Sequence, residues 1–250
     1  MEYPDFIARF YDVMYEKIRT GQDHMYYMNK IMASPGPVLE IGVGTGRFFL
    51  HALQKGADIY GVDISSEMLS VLKQNLRRRD FNRLYLQDAI NLRIPLVFDL
   101  IIAPFRMFSH VLSIEDQLQF LSRVAEHLKP GGTFIMDVFV PDLQLIQEGL
   151  ENVNDFEGED KNGLKVKRTV TMTSNLIDQV STVKMDIFWG DKHFDHHGSF
   201  EFDMRYFFRY ELEHLIDRSP LNLHRIYGNF EEDELQIHSK EFLVVCNKPI

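Results

Sequence analysis

The chain carries a single cysteine, Cys246, in 250 residues. One thiol forms no internal disulfide, and the apolar run around it marks a buried strand residue rather than a nucleophile. A reducing, cytoplasmic setting is the expected compartment. Basic residues are outnumbered: 27 Lys and Arg face 37 Asp and Glu, a formal net charge of −10. A broad nucleic-acid footprint needs a basic stripe to displace counterions, so no nucleic-acid partner is expected. No apolar stretch approaches the ~18 residues of a membrane span, so no membrane partner is expected either. Met1-Glu2-Tyr3-Pro4-Asp5 is acidic with no apolar segment behind it, which reads as the absence of a secretory signal. Internal repeats and low-complexity tracts are lacking as well. What is present is a hydrophobic fraction of 45%, enough for one large α/β domain.

The first 33 residues read as helical from residue 4, with Phe6, Ile7, Phe10, Met14 and Ile18 on a period near 3.6. Ser34-Pro35-Gly36-Pro37 stops that pattern. Strand and helix then alternate. Strands at 38–42, 58–63, 83–87, 98–103 and 133–140 are separated by helices that begin near Arg47, Ser66 and Ser113. Ser113-Ile114-Glu115-Asp116 is a capping-box pattern, and Ile114, Leu118, Leu121, Val124, Ala125 and Leu128 follow on one face. Arg77-Arg78-Arg79 falls where positive charge suits a helix end. Repeated βα units imply a doubly wound, mostly parallel sheet.

The pattern changes after Pro141. A short helix is expected at 143–150 and a loop at 151–163. Three period-2 runs follow: Leu164–Met172, Val183–Trp189 and Phe200–Phe208. They predict antiparallel strands with one covered face. That layer either covers one side of the functional site or forms a homodimer contact. A helix near Tyr210–Asp217 and strands near 222–228 and 240–247 close the chain. The expected organisation is one domain over 1–250, with a helical lid at 1–34 and an inserted β subdomain at 141–209.

Val38-Leu39-Glu40-Ile41-Gly42-Val43-Gly44-Thr45-Gly46 carries the strongest chemical message. An apolar strand ends in an acid, alternating glycines follow, and a helix begins. The next apolar run, Ile59-Tyr60-Gly61-Val62, closes on Asp63. This is a βαβ nucleotide-binding unit, with the second carboxylate placed for a ribose diol. Dinucleotide sites use Gly-x-Gly-x-x-Gly and set a pyrophosphate over the helix N-terminus. Here the spacing is Gly-x-Gly-x-Gly, and Glu40 stands where a pyrophosphate would be repelled. A cofactor that brings a cation suits it better, and S-adenosyl-L-methionine carries a sulfonium and an α-ammonium.

Five segments in order extend this reading. They are Glu40–Gly46; Gly61-Val62-Asp63-Ile64-Ser65 with Met68-Leu69; Gln87-Asp88-Ala89; Asp99–Pro104 ending in Ala103-Pro104; and Leu128-Lys129-Pro130-Gly131-Gly132. Together they resemble the motifs of class I S-adenosylmethionine-dependent methyltransferases over nearly the whole chain. The resemblance implies a Rossmann-like seven-stranded sheet with an antiparallel insertion after the fifth strand. Phe10-Tyr11-Asp12 resembles the lid of small-molecule methyltransferases. Met107-Phe108-Ser109-His110, with the later strands, is similar to nucleotide-sugar amine and glycine-type N-methyltransferases.

The resemblance also implies roles. Gly42, Gly44 and Gly46 approach the methionine and ribose portions of the cofactor. Asp63 takes the ribose hydroxyls. Asp88, in the turn with Ala89, accepts from the adenine amino group, and Ile64 or Met68 packs on the ring. Ala103 ends the fourth-strand motif. His110 and Tyr11 are the candidate catalytic groups, His110 as acceptor of a proton. Each has a plainer reading: a turn Asp for Asp88, a core Met for Met68, a capping histidine for His110, a packing aromatic for Tyr11. His193, His196 and His197 read as a solvated turn rather than a metal site. The expected activity is methyl transfer to N or O of a small-molecule acceptor; a catalytically inactive cofactor-binding or sensor protein is the alternative. An Asn/Asp-Pro-Pro-Tyr tetrapeptide is lacking after the fourth strand, where Ala103-Pro104-Phe105-Arg106 stands.

Overall fold

In the computed structural model, which describes residues 2–16, 21–191 and 193–250, the apolar runs of the first half build one twisted sheet. Its strands are β1 (Val38–Ile41), β2 (Ile59–Asp63), β3 (Leu84–Leu86), β4 (Phe98–Ala103), β5 (Leu128–Phe139), β10 (Asn222–Tyr227) and β11 (Glu241–Asn247). The spatial order is β10-β11-β5-β4-β1-β2-β3. β1 to β5 run parallel, and β11 enters antiparallel to β5. The strand order reverses direction between β1 and β4. In doubly wound sheets the crevice outside the carboxyl ends at that reversal is where ligands bind.

Alternate strand residues face two helical layers. Leu39, Ile101 and Phe134 pack with Phe120, Leu121 and Val124 of α5 (Ile114–His127) and with Leu212 and Ile216 of α7 (Arg209–Asp217). Val38, Ile59, Leu100, Ile102 and Ile135 face α2 (Gln22–Ala33), α3 (Phe49–Gln54) and α4 (Ser66–Gln74). Cover on both faces is why these strands read as continuous apolar runs rather than as alternation.

The insertion folds as a separate four-stranded antiparallel sheet: β6 (Leu150–Glu159), β7 (Lys165–Asn175), β8 (Val180–Gly190) and β9 (His196–Arg205). Its inner face, with Val166, Val170, Met185 and Ile187, packs on Ile7, Phe10 and Met14 of α1 (Asp5–Glu16). The helix α1 is therefore sandwiched between this sheet and the crevice of the main sheet.

Several boundaries differ from the sequence reading, each for a local reason. The single N-terminal helix is two: α2 starts after Gly21, whose φ of +81° breaks the helical path. Ile18 lies outside the described residues. α4 ends at Gln74, and Arg78–Arg83 form a 3₁₀ turn, so the arginine run does not end a helix. Residues 151–159 are an edge strand rather than a loop. β6 is mostly exposed and slips register twice against β7, so it never alternates cleanly. β5 begins at Leu128 and runs through Gly131-Gly132 across a register shift against β4. The last alternating run stops at Arg205. The backbone leaves the sheet there, so Phe207 enters the main core, whereas Phe208 is 44% exposed. Ile114, expected on the buried face of α5, is 43% exposed beside its Ser113 cap. Among the described residues no helix is long and apolar enough to cross a membrane.

Candidate active site

A cavity of about 210 Å³ opens at the carboxyl ends of β1, β2 and β4. Ten of the expected residues line it: Tyr11, Glu40, Gly42, Gly44, Asp63, Ile64, Met68, Asp88, Ala89 and His110. Two do not. Gly46 packs against α4, where a Cβ would meet Leu72 Cδ1 at 2.3 Å. Ala103 is fully buried at the end of β4, and the next residue, Pro104, reaches the wall instead.

The glycine turn is built by backbone conformations that favour glycine: Gly42, Gly44 and Gly46 all have φ between +54° and +91°. The sequence reading gave all three missing Cβ atoms to the ligand. At Gly42 the space is taken by Met107, whose Cγ lies 2.6 Å from the Cβ position. Only Gly44 has no side-chain atom within 4 Å of that position.

Asp63 fixes this turn. Its Oδ2 accepts the Gly44 N–H at 2.8 Å, and its Oδ1 accepts the Ser65 N–H at 2.8 Å. Each carboxylate oxygen has a second lone pair for a ligand hydroxyl. Burial raises its pKa despite those N–H bonds. Glu40 is 2% exposed, and its Oε2 has no hydrogen-bond partner. Burial lifts its carboxyl well above the usual range, offset in part by the Phe49 N–H and the Arg47 charge. A buried, half-satisfied carboxyl of this kind is costly unless a ligand completes it.

Asp88 caps the turn Ala89–Asn91 by accepting the Ile90 N–H at 3.0 Å. Met68 is 1% exposed and belongs both to the cavity wall and to the core under α1. With Val62, Ile64, Ala89 and Ile90 it contributes apolar wall to the cavity.

A second part of the wall is aromatic. Tyr11 of α1 and Tyr3 just before that helix have ring centroids 6.0 Å apart. Tyr11 packs on Tyr15 at 4.7 Å, and Tyr15 meets the edge of Phe105 at 5.5 Å. On the other side Tyr3 touches Phe200 at 5.4 Å, and His110 lies 5.6 Å from Phe202. His110 Nδ1 is 3.4 Å from the Asp203 carbonyl oxygen. A carbonyl only accepts, so Nδ1 carries the proton and Nε2 keeps its lone pair. Burial pushes the imidazole pKa down to about 4, so the ring is neutral over the physiological range.

Thr45 and Arg47 line the cavity and went unnoticed in the sequence, although they flank the glycines. Thr45 Oγ1 donates to Asp12 Oδ1 of α1 at 2.7 Å. Arg47 holds Asp23 of α2 through both guanidinium nitrogens. Tyr3, Phe105 and Met107 were also missed; nothing local in the sequence brings them to the glycine turn. His197 Nε2 donates to Asp186 Oδ1 at 2.9 Å and its ring stacks on Phe188, while His196 stacks on Trp189. Among the described residues no group of three or more His, Cys, Asp or Glu side chains is placed to hold a metal ion. Cys246 is fully buried in β11, and burial pushes its thiol up to about 12.

Residues 38–132, which hold the glycine turn, β1 to β4 and the start of β5, match the family model for a methyltransferase domain. The full chain overlays the structure of a S-adenosylmethionine-dependent methyltransferase from Clostridium acetobutylicum with a TM-score of 0.80. That overlay covers 98% of this chain and 99% of the other at 21% identity, and it establishes a shared fold. Among the relatives similar in sequence are two methyltransferases. A cypemycin N-terminal methyltransferase from Streptomyces sp is 30% identical over 42% of this chain and 42% of its own length. A glycine/sarcosine N-methyltransferase from Aphanothece halophytica is 31% identical over 46% of this chain and 44% of its own. The chain thus matches less than half the length of either relative.

Proposed function

We propose that this chain is an S-adenosyl-L-methionine-dependent methyltransferase whose acceptor is the amine of a small molecule. The observation that carries the cofactor assignment is the buried, unpartnered Oε2 of Glu40, a residue of the same cavity wall as the turn pinned by Asp63. These residues fit the cofactor. Glu40 would meet its cationic amino-acid end, the free lone pairs of Asp63 its ribose diol, and Ile64, Met68 and Ala89 its base, with Asp88 at the ring edge. When bound, the cofactor supplies an electrophilic methyl group for in-line displacement.

The protein's share is positioning and proton management. The lid, tied to the glycine turn through Asp12 and Thr45, excludes water. Tyr3, Tyr11, Phe105 and His110 shape the acceptor end. A neutral His110 takes a proton at Nε2. With its pKa near 4 it is a weak base. Such a base suits an amine, which attacks through its own lone pair, better than a hydroxyl, which must lose its proton as it attacks. The two sequence relatives, named for an N-terminus and for glycine and sarcosine, are in keeping with an amine.

Calorimetry and thermal shift test the first half. S-adenosyl-L-methionine and its demethylated product should bind at micromolar level, about 7–8 kcal/mol, and raise the melting temperature. Tighter binding of NAD would sink the cofactor reading. Formation of the demethylated product from a panel of small primary and secondary amines, against matched alcohols, tests the second half. Tight binding with no turnover on any acceptor would favour the sensor alternative.

A further inference from the structure

We propose that Asp137 is a positioning residue for methyl transfer: its buried carboxylate clamps the Phe105–Arg106 turn and thereby sets Phe105, Met107 and His110 against the cavity. The catalytic part rests on the functional reading above; the clamp itself does not.

Asp137 interrupts the apolar strand Phe134-Ile135-Met136-Asp137-Val138-Phe139 next to the end of β4. It is 3% exposed and does not touch the cavity. Three donors converge on it. Tyr27 Oη donates to Oδ1 at 2.5 Å, the Phe105 N–H to Oδ1 at 2.9 Å, and the Arg106 N–H to Oδ2 at 3.1 Å. Phe105 and Arg106 are consecutive non-glycine residues in the left-handed region, with φ of 57° and 62°. Such a pair is costly and persists only where its surroundings hold it. Here the two N–H groups are presented to one carboxylate.

The consequence of that turn is the acceptor wall. Phe105 meets Tyr15 edge-on. Met107 fills the space left by the missing Cβ of Gly42. Phe108 is anchored in the core against Phe207, with ring centroids 5.4 Å apart. His110 ends the 3₁₀ turn Met107–His110 and reaches the antiparallel sheet. Pro104, Phe105, Met107 and His110 all line the cavity. The Arg106 guanidinium pairs with Glu241 at 3.0 Å, so the turn is held from behind as well.

Asp137→Asn keeps the shape and replaces one acceptor oxygen by a donor. Tyr27→Phe removes a donor to the same carboxylate but leaves both turn N–H bonds. Asp137→Asn should lower kcat by about 10²-fold, the scale of an ångström-size misplacement, and leave affinity for the demethylated cofactor within about threefold. Tyr27→Phe should lower the melting temperature and hold kcat within about threefold. Adding Arg106→Gly, which relieves the left-handed strain, should recover part of the Asp137→Asn loss in a double-mutant cycle. Amides of 105–107 should exchange at least about tenfold faster in Asp137→Asn. Activity loss in both variants that merely tracks melting temperature would overturn the proposal, as would unchanged exchange at 105–107. If Asp137→Asn does not fold, the native protein decides: free exchange of the Phe105 and Arg106 amides removes the clamp, and strong protection supports it. If the native chain methylates no amine, the functional reading fails, and the exchange measurements alone decide the clamp.

Discussion

The proposed cofactor end and the proposed acceptor end of the cavity place their chemical groups by different means. At the cofactor end the groups are Glu40, Gly44, Asp63 and Asp88, which come from one stretch of about fifty residues. Backbone geometry fixes them: parallel strands set Glu40 beside Gly61, and Asp63 is locked by two backbone N–H groups. At the acceptor end the groups are Tyr3, Tyr11, Phe105 and His110, backed by Tyr15, Phe200 and Phe202. They come from the N-terminal segment around α1, the turn after β4 and the inserted sheet, and ring-to-ring packing holds them. One end is fixed by local backbone geometry. The other is an assembly of distant parts, held by side-chain packing.

The largest expected effect sharpens this division. His110→Ala should lower turnover by about 10²-fold or more, the scale of general-base loss, with cofactor affinity unchanged. Since the imidazole pKa is pushed down to about 4, any acidic limb it sets in the pH–rate profile falls near 4 rather than near 6.5. Loss of cofactor binding in this variant would erase the division between the two ends. Unchanged activity would leave the amine to lose its proton to water and make Tyr11 the next residue to test.

Asp63→Ala is the matching change at the other end. It should weaken binding of the demethylated cofactor by about tenfold or more, given hydrogen bonds to a charged group worth roughly 1.5–3 kcal/mol each. Because Asp63 also holds Gly44 and Ser65, the melting temperature should fall too. An unchanged dissociation constant by calorimetry would reject the diol assignment.

Glu241 tests the rear support of the acceptor turn. Burial raises its pKa to about 7, against the lowering effect of Arg106. A carboxyl whose folded pKa is raised favours folding below its unfolded value, and that contribution is lost as pH rises through 7. Relative to the native protein, Glu241→Gln should therefore gain stability between about pH 4.5 and 8. The gain should be about 1–2 kcal/mol, since one pK unit is worth about 1.4 kcal/mol and loss of the Arg106 pair offsets part of it. Thermal unfolding across that range checks the sign; a gap between the two proteins that does not change with pH would refute it.

The smallest effect belongs to the seam between the two ends. Asp12→Asn weakens the bond from Thr45 and should destabilise the closed lid by about 1 kcal/mol. Amides of α1 should exchange about fivefold faster, while the rest of the chain keeps its protection. Uniform exchange in both proteins would show that the aromatic contacts alone hold the lid.

Legibility in the sequence followed the same line. The glycine turn and both carboxylates were readable because strand, turn and helix signals lie a few residues apart. The antiparallel layer was readable where one face is covered, as at Val166, Val170, Met185 and Ile187. β6 was not, because an exposed, slipping edge strand has no period. Asp137 left a trace, a charge within a buried apolar strand, but a lone acid does not announce its donors. Met107 at Gly42 left none, since 65 positions of chain separate two residues that meet only when β1 and β4 pair.

The sequence by itself determined the order of βα units, the conformation of the glycine turn and the carboxylates at the ends of β1 and β2. Those are short-range matters of sterics, periodicity and backbone hydrogen bonding. Only the tertiary structure decided which side chains face one another across the cavity. It gave the space beside Gly42 to Met107, bent Phe105 and Arg106 onto Asp137, and brought the lid tyrosines against rings from residues 105 and 200. Side-chain packing is settled by contacts among segments far apart in the chain, and no local pattern encodes which partner fills a given space.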